Sequence, residues 1–205
     1  MPPVKSRQQI AAEETQRVII RAAADLFLER GYTATSVAQI AAAAGVAVQT
    51  IYNSVGSKSA LLSRVLDRAA AGDRAPAPVA TFMREQAEAE SDPEKILDQL
   101  VSFWATALIR TAPVFRVIRQ AAATDPEAAA LEAARATQRL RNYRTAAQLL
   151  RDRGGLRKDL SLDQAAAVIF AIGHPETYRS LVLEGSWSNR HWADWASSAL
   201  KAGLL

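Results

Sequence analysis

The stretch Thr35-Ser36-Val37-Ala38-Gln39-Ile40-Ala41-Ala42-Ala43-Ala44-Gly45-Val46-Ala47-Val48-Gln49-Thr50-Ile51-Tyr52-Asn53-Ser54 carries two short helical signals around one glycine. Ser36 with Gln39 three residues on is a capping box, in which the hydroxyl accepts from the third helical amide and the glutamine reaches back to the cap. Val37, Ile40 and Ala41 then fall on the inward side. Gly45 is the expected stop, because glycine enters the left-handed region without a Cβ penalty. A second short segment, Val46 to Val55, follows at once. Upstream, Ile19, Ala22, Ala23, Leu26 and Phe27 form an apolar stripe at helical spacing that Gly31 ends. Downstream, Gly56-Ser57 leads into a helix carrying Leu61, Leu62, Val65 and Leu66. Short helix, glycine turn, short helix is the outline of a helix-turn-helix, and equally of an ordinary three-helix packing unit.

Working outward, the fold class is all-α. Sustained apolar/polar alternation is missing, whereas apolar residues recur at three and four along the chain. Asp92-Pro93-Glu94 and Asp125-Pro126-Glu127 each set a capping carboxylate before a proline at the first helical position, so two helices start there. Ser161 with Gln164 opens another, and Gly154-Gly155 closes the one before it. The Gly/Pro-rich stretch Ala71 to Pro78 reads as a connector and places a boundary between residues 1–71 and 72–205.

Composition narrows the function. At 205 residues and 49% hydrophobic content the chain can bury a real core. Residues 1–71 hold eight Lys/Arg against five Asp/Glu, so three of the four net positive charges sit in the first third, the footprint expected of a domain that meets phosphates. Cysteine is absent and histidine occurs only as His174 and His191, which removes thiolate zinc sites and cysteine nucleophiles. Phosphate-cradling glycine loops, G-x-S-x-G and H-E-x-x-H are also missing, so the expectation is no enzyme, no cofactor and no metal. No run of about eighteen uncharged apolar residues occurs, and Met1 to Gln9 is polar and basic, so no membrane partner and a cytoplasmic location are expected.

The detail resolves the outline. Leu26-Phe27-Leu28-Glu29-Arg30-Gly31-Tyr32, Thr35-Ser36-Val37-Ala38-Gln39-Ile40-Ala41, Ala44-Gly45-Val46, Thr50-Ile51-Tyr52 and Ser57-Lys58-Ser59-Ala60-Leu61-Leu62 together resemble the DNA-binding domain of the tetracycline-repressor (TetR) family. Pro175-Glu176-Thr177-Tyr178-Arg179 and Gly185-Ser186-Trp187-Ser188 look like the C-terminal region of many members. The resemblance implies a three-helix domain with a helix-turn-helix, joined by a linking helix to a larger helical domain for ligand binding and dimerisation. It implies a homodimeric repressor on a palindromic double-stranded operator, released by a small apolar or amphipathic effector. The alternatives are an all-helical enzyme, or a TetR-like regulator without a small-molecule effector.

Position by position, the resemblance implies that Ser36, Tyr52 and Lys58 touch the DNA backbone while Val48, Gln49, Thr50 and Asn53 read bases. The chemistry agrees: Gln and Asn make paired hydrogen bonds to adenine, and Val48 suits a thymine methyl. This chain departs from the pattern at Ala38, at Ala47 where a capping serine is common, at Ser54-Val55 and at Gly56. Lys5 and Arg7 sit on a basic arm able to reach a minor groove, against the simpler reading of a solvated tail.

In the C-terminal region, Ile96, Leu97, Leu100, Phe103, Trp104, Ala107 and Leu108 mark a central helix that Pro113 is expected to break. A hairpin from Pro126 to Glu184 carries Ala136, Leu140, Tyr143, Ala147 and Leu150 on one helix and Leu162, Ala166, Ile169, Phe170 and Gly173 on the other, faces suited either to an isologous dimer or to the subunit's own core. Gly173-His174-Pro175 is expected to kink the second helix, and an effector pocket lined by Trp104, Phe115, Tyr143, Phe170 and His174 follows as a hypothesis, with plain aromatic core as its rival. Arg110, Arg116 and Arg119 offer charge for an anionic ligand or stand solvated.

Overall fold

The computed structural model describes residues 6–72 and 91–205. The connector from Asp73 to Pro78 and Lys5 of the arm lie outside them. The described elements are all helical: α1 (Arg7–Arg30), α2 (Val37–Ala44), α3 (Val48–Ser54), α4 (Lys58–Ala71), α5 (Pro93–Ala122), α6 (Pro126–Asp152), α7 (Leu162–Ile172), α8 (Pro175–Tyr178), a π-helical turn (Arg179–Glu184) and α9 (Asn189–Leu204). The fold is thus all-α, with a helix-turn-helix domain at the N-terminal end and a larger helical region after it.

The helix ends follow their local chemistry. Ser36 and Ser161 form complete capping boxes with Gln39 and Gln164. Asp125 accepts from the amides of Glu127 and Ala128 at 2.8 and 3.2 Å, and Asp92 accepts from that of Glu94 at 3.0 Å, so both Asp-Pro-Glu signals start helices. Gly45 closes α2 in the left-handed conformation, φ 68°.

The described residues form two compact units, and neither is one stretch of chain. Those up to Arg68 join Arg116–Glu132 in the first, and those of Ala69–Phe115 join Ala133–Leu205 in the second. In the first unit Ile19, Ala23, Phe27, Ile40, Ile51, Leu61, Leu62 and Ile118 are buried. In the second, Leu97, Leu100, Trp104, Leu150, Ile169, Trp192 and Leu200 share one core.

Three expectations change. Pro113 does not break its helix: α5 runs on to Ala122 with the proline inside it. A proline inside a helix costs about 3 kcal/mol. Burying Ala112, Val114, Val117 and Ile118 around it outweighs that, at roughly 1.5–3 kcal/mol for each larger side chain. By length and composition alone α5 also has the apolarity of a membrane-crossing helix, yet half of its most apolar window is buried inside the protein, as in a core helix. Gly173-His174-Pro175 ends α7 instead of kinking it. His174 turns extended, φ −71° and ψ 136°, and its Nδ1 accepts from the Glu176 amide at 3.1 Å, capping a new helix. Gly173 is required there by close approach, because a Cβ would lie 2.4 Å from the Trp104 ring. Finally, Ala147, Leu150, Ala166 and Ile169 are buried within the subunit's own core, so those parts of the hairpin face are not surface.

Candidate nucleic-acid interface

Successive residues of a helix turn by about 100°, so Val48, Gln49, Tyr52 and Asn53 of α3 share one side while Ile51 points the other way. Ile51 is completely buried and pins the helix to the first unit's core; Val48 and Tyr52 are 40% and 50% exposed. Gln49 and Asn53 are exposed, Thr50 is half-buried at the edge of that face, and Ser36 stands exposed at the start of α2. The exposed face holds no ionised group. Its polar chemistry is the Tyr52 hydroxyl and two amides joined to each other, with Gln49 Nε2 donating to Asn53 Oδ1 at 2.9 Å. That bond still leaves the Gln49 carbonyl oxygen and N–H groups on both residues for base edges.

What holds α3 in place was not visible from its own sequence. Ala47 supplies no side-chain cap. The helix is secured at the opposite end, where Gln16 on α1 donates from Nε2 to the Ser54 carbonyl at 3.0 Å. Thr35, nearly fully buried, anchors the turn before α2 by donating to the carbonyls of Gly31 at 2.8 Å and Leu26 at 3.3 Å. No pattern marks Gln16 in the sequence, since its partner lies 38 residues away.

Lys58 starts α4 half-buried, its Nζ 4.0 Å from the centroid of the Tyr32 ring. Loss of hydration lowers its pKa, while the Asp125 carboxylate pulls the other way. The Tyr32 phenol, pushed up first by burial, donates to Asp125, whose own pKa is held down first by the Ala128 amide. Next to this, Ser59 Oγ donates to Glu127 at 2.6 Å.

The residues expected to line an effector pocket come together in the second unit as a continuous run of rings. Trp104 meets Tyr143 edge-on with centroids 5.7 Å apart, Tyr143 meets Phe170 at 6.4 Å, and Phe170 lies 5.1 Å from His174. Phe115 joins through Arg139, whose guanidinium carbon lies 4.6 Å from the Phe115 ring and 5.3 Å from that of Phe170. The sequence marks Arg139 by one signal only, its place one helical turn before Tyr143. Burial pushes the Tyr143 phenol up to about 12, against the pull of Arg139 and of a hydrogen bond with Trp104. The groove between α5 and α9, lined by Asp98, Val101, Ser102, Ala193 and Ser197, includes none of these rings. Arg110 is committed elsewhere: it donates to the Ala69 carbonyl at 2.9 Å and the Thr106 carbonyl at 2.8 Å. Among the described residues no cluster of three or more His, Asp or Glu is placed to hold a metal ion.

A short helix-turn-helix whose second helix offers an exposed face of neutral hydrogen-bonding groups is the geometry that a DNA-binding domain uses. Residues 19–65 match the family model described as bacterial regulatory proteins, tetR family, and this segment is therefore a TetR-family DNA-binding domain. The whole chain shares the fold of several solved structures. A TetR-family regulator from Syntrophomonas wolfei is 20% identical, with a TM-score of 0.76 over 94% of this chain and 97% of that one. NalD of Pseudomonas aeruginosa, described as the secondary repressor of the MexAB-OprM multidrug efflux pump, is 22% identical, with a TM-score of 0.75 over 96% and 98%. The fatty acid degradation regulator FadR of Bacillus halodurans is 23% identical, with a TM-score of 0.74 over 92% and 99%. No curated protein matches the chain.

Proposed function

We propose that this protein is a ligand-responsive transcriptional repressor, which binds a palindromic operator as a homodimer in the cytoplasm and is released by a small apolar or amphipathic effector. The observation that carries this reading is the exposed face of Val48, Gln49, Tyr52 and Asn53 on α3, within the segment that matches the tetR family. NalD, of the same fold, is described as a repressor, which favours repression over activation. In this reading Gln49, Asn53, Thr50 and Val48 contact base edges, while Ser36, Tyr52 and Lys58 contact the backbone. Residues 1–71 serve DNA binding and 72–205 serve the effector and the dimer, with 116–132 packed into the first unit. The rings of Trp104, Phe115, Tyr143, Phe170 and His174 supply the apolar effector site. The dimer uses the outward face of the hairpin, where Leu140, Ala167 and Ala171 are exposed.

Salt-dependent affinity separates these roles, because backbone contacts release counterions and base contacts do not. Lys58→Ala should weaken all duplexes alike and reduce the slope of log affinity against log salt by about 1.8 for two subunits. In the same anisotropy titrations, a thermally stabilising apolar compound should lower affinity for the preferred duplex. If Lys58→Ala leaves the slope unchanged, or if no stabilising compound alters affinity, the corresponding part of the proposal fails.

A further inference from the structure

The helix α3 has few holds of its own. At seven residues it is far shorter than a helix that persists alone in water. Ala47 gives it no side-chain cap, and its first turn carries no acid. Ile51 is its buried residue, and one buried side chain fixes a point of the helix without fixing its direction. The second hold lies at the C-terminal end. The Ser54 carbonyl is among those that a helix end leaves without an intrahelical partner, and Gln16 Nε2 donates to it at 3.0 Å. Gln16 stands three positions before Ile19 and seven before Ala23, so its amide continues the side of α1 that carries those buried residues. It is half-buried, and it shares the first unit with all of α3.

A base contact and a phosphate attraction differ in what they ask of a helix. Paired hydrogen bonds to a base edge need donor and acceptor placed within a few tenths of an ångström and well aligned, whereas attraction to phosphates follows charge and tolerates a tilt. From this arrangement we propose that Gln16 is a positioning residue for base reading: its bond to the Ser54 carbonyl, acting with Ile51 as pivot, sets the angle at which α3 presents Gln49 and Asn53. The inference rests on the reading of α3 as the helix that contacts bases. Asn53 is the neighbour of Ser54, while Gln49 lies on the far side of the Ile51 pivot. Release of the bond therefore disturbs the base at Asn53 first. Gln16 carries no charge, so its role is separate from counterion release.

The test uses the full-length protein, a duplex selected from a randomised pool by the unmodified protein, and a shuffled duplex of the same composition. Gln16→Met keeps the length of the side chain and removes the donor; Gln16→Glu keeps the shape and leaves acceptors only. Each should lower the ratio of selected to shuffled affinity roughly tenfold for the dimer, the scale of a neutral hydrogen bond lost in each subunit, with the salt slope retained. The loss should be largest at the base position whose preference Asn53→Ala relaxes. Gln16→Lys, which restores a donor on a stem of similar reach, should keep the ratio near that of the unmodified protein. The glutamate variant carries the test if the methionine variant does not fold. An unchanged ratio in Gln16→Met and Gln16→Glu would overturn the proposal, as would equal weakening on both duplexes or a ratio lost in Gln16→Lys as well. If Gln49→Ala and Asn53→Ala themselves leave the ratio intact, it is the reading of α3 that fails, and the two failures are told apart.

Discussion

The face of α3 and the ring cluster of the second unit are the two proposed binding sites, and they differ in what makes them. The α3 face is assembled from four residues within six positions of one helix, so period and exposure follow from local spacing. The ring cluster draws Trp104 and Phe115 from α5, Tyr143 and Arg139 from α6, and Phe170 with His174 from around the end of α7. One is a surface whose groups point outward before any partner arrives. The other is already satisfied by its own rings. On the proposed function DNA should meet α3 with little rearrangement, whereas an effector would have to displace ring contacts to enter and would shift the conformational equilibrium by its preference for the opened state. Differential binding of this kind typically amounts to about 1–3 kcal/mol.

The largest test of the contrast lies on α7, where neighbouring alanines face opposite ways: Ala166 is 3% exposed and Ala167 is exposed. Ala166→Glu buries an unpaired carboxylate and should cost about 3–5 kcal/mol in denaturant unfolding. Ala167→Glu should leave that stability nearly unchanged and instead lower the mass seen by light scattering from dimer to monomer. A dimer that survives Ala167→Glu would move the interface off this face.

A smaller effect tests how independent the reading groups are. Gln49→Ala or Asn53→Ala should cost about 1–3 kcal/mol per half-site on the preferred duplex, with the salt slope retained. Because the bond between the two amides leaves their other polar groups available for bases, it should persist on DNA, and the double variant should cost the sum of the two single losses. A double loss larger than that sum would show that the bond is broken when DNA is bound.

The smallest effect belongs to the ring cluster and shows only in alkali. Tyr143 titrates at about 12 in the folded chain against 10.0 when unperturbed. Below pH 10 its phenol is protonated in both states and stability is complete. Between pH 10 and about 12 the unfolded phenol ionises first, the unfolded state binds fewer protons, and stability falls as pH rises. Tyr143→Phe should reduce that alkaline loss, measured as the difference in melting temperature between pH 9 and pH 11. An equal loss in both proteins would place the titration elsewhere.

What was legible in the sequence was whatever depends on near neighbours along the chain. The capping boxes of Ser36 and Ser161, the left-handed stop at Gly45 and the Asp-Pro-Glu starts are all closed by bonds within a few residues, so residue type and spacing determined them. The inward set of α1 to α4 and the outward set of α3 followed from helical period for the same reason. Tertiary packing decided the rest. Pro113 lies inside a helix because the surrounding apolar burial outweighs one lost hydrogen bond, a balance that no local signal contains. Gly173 marks an approach by Trp104, a ring 69 positions earlier in the chain, and not a kink. The core side of the hairpin could not be told from a dimer face, since both present small apolar residues at the same spacing and only the neighbours that cover them differ. Gln16, Arg139 and the Asp125–Tyr32–Lys58 group stayed hidden on the same physical ground: each acts through a partner distant in sequence, and pairing of that kind exists only once the chain has folded.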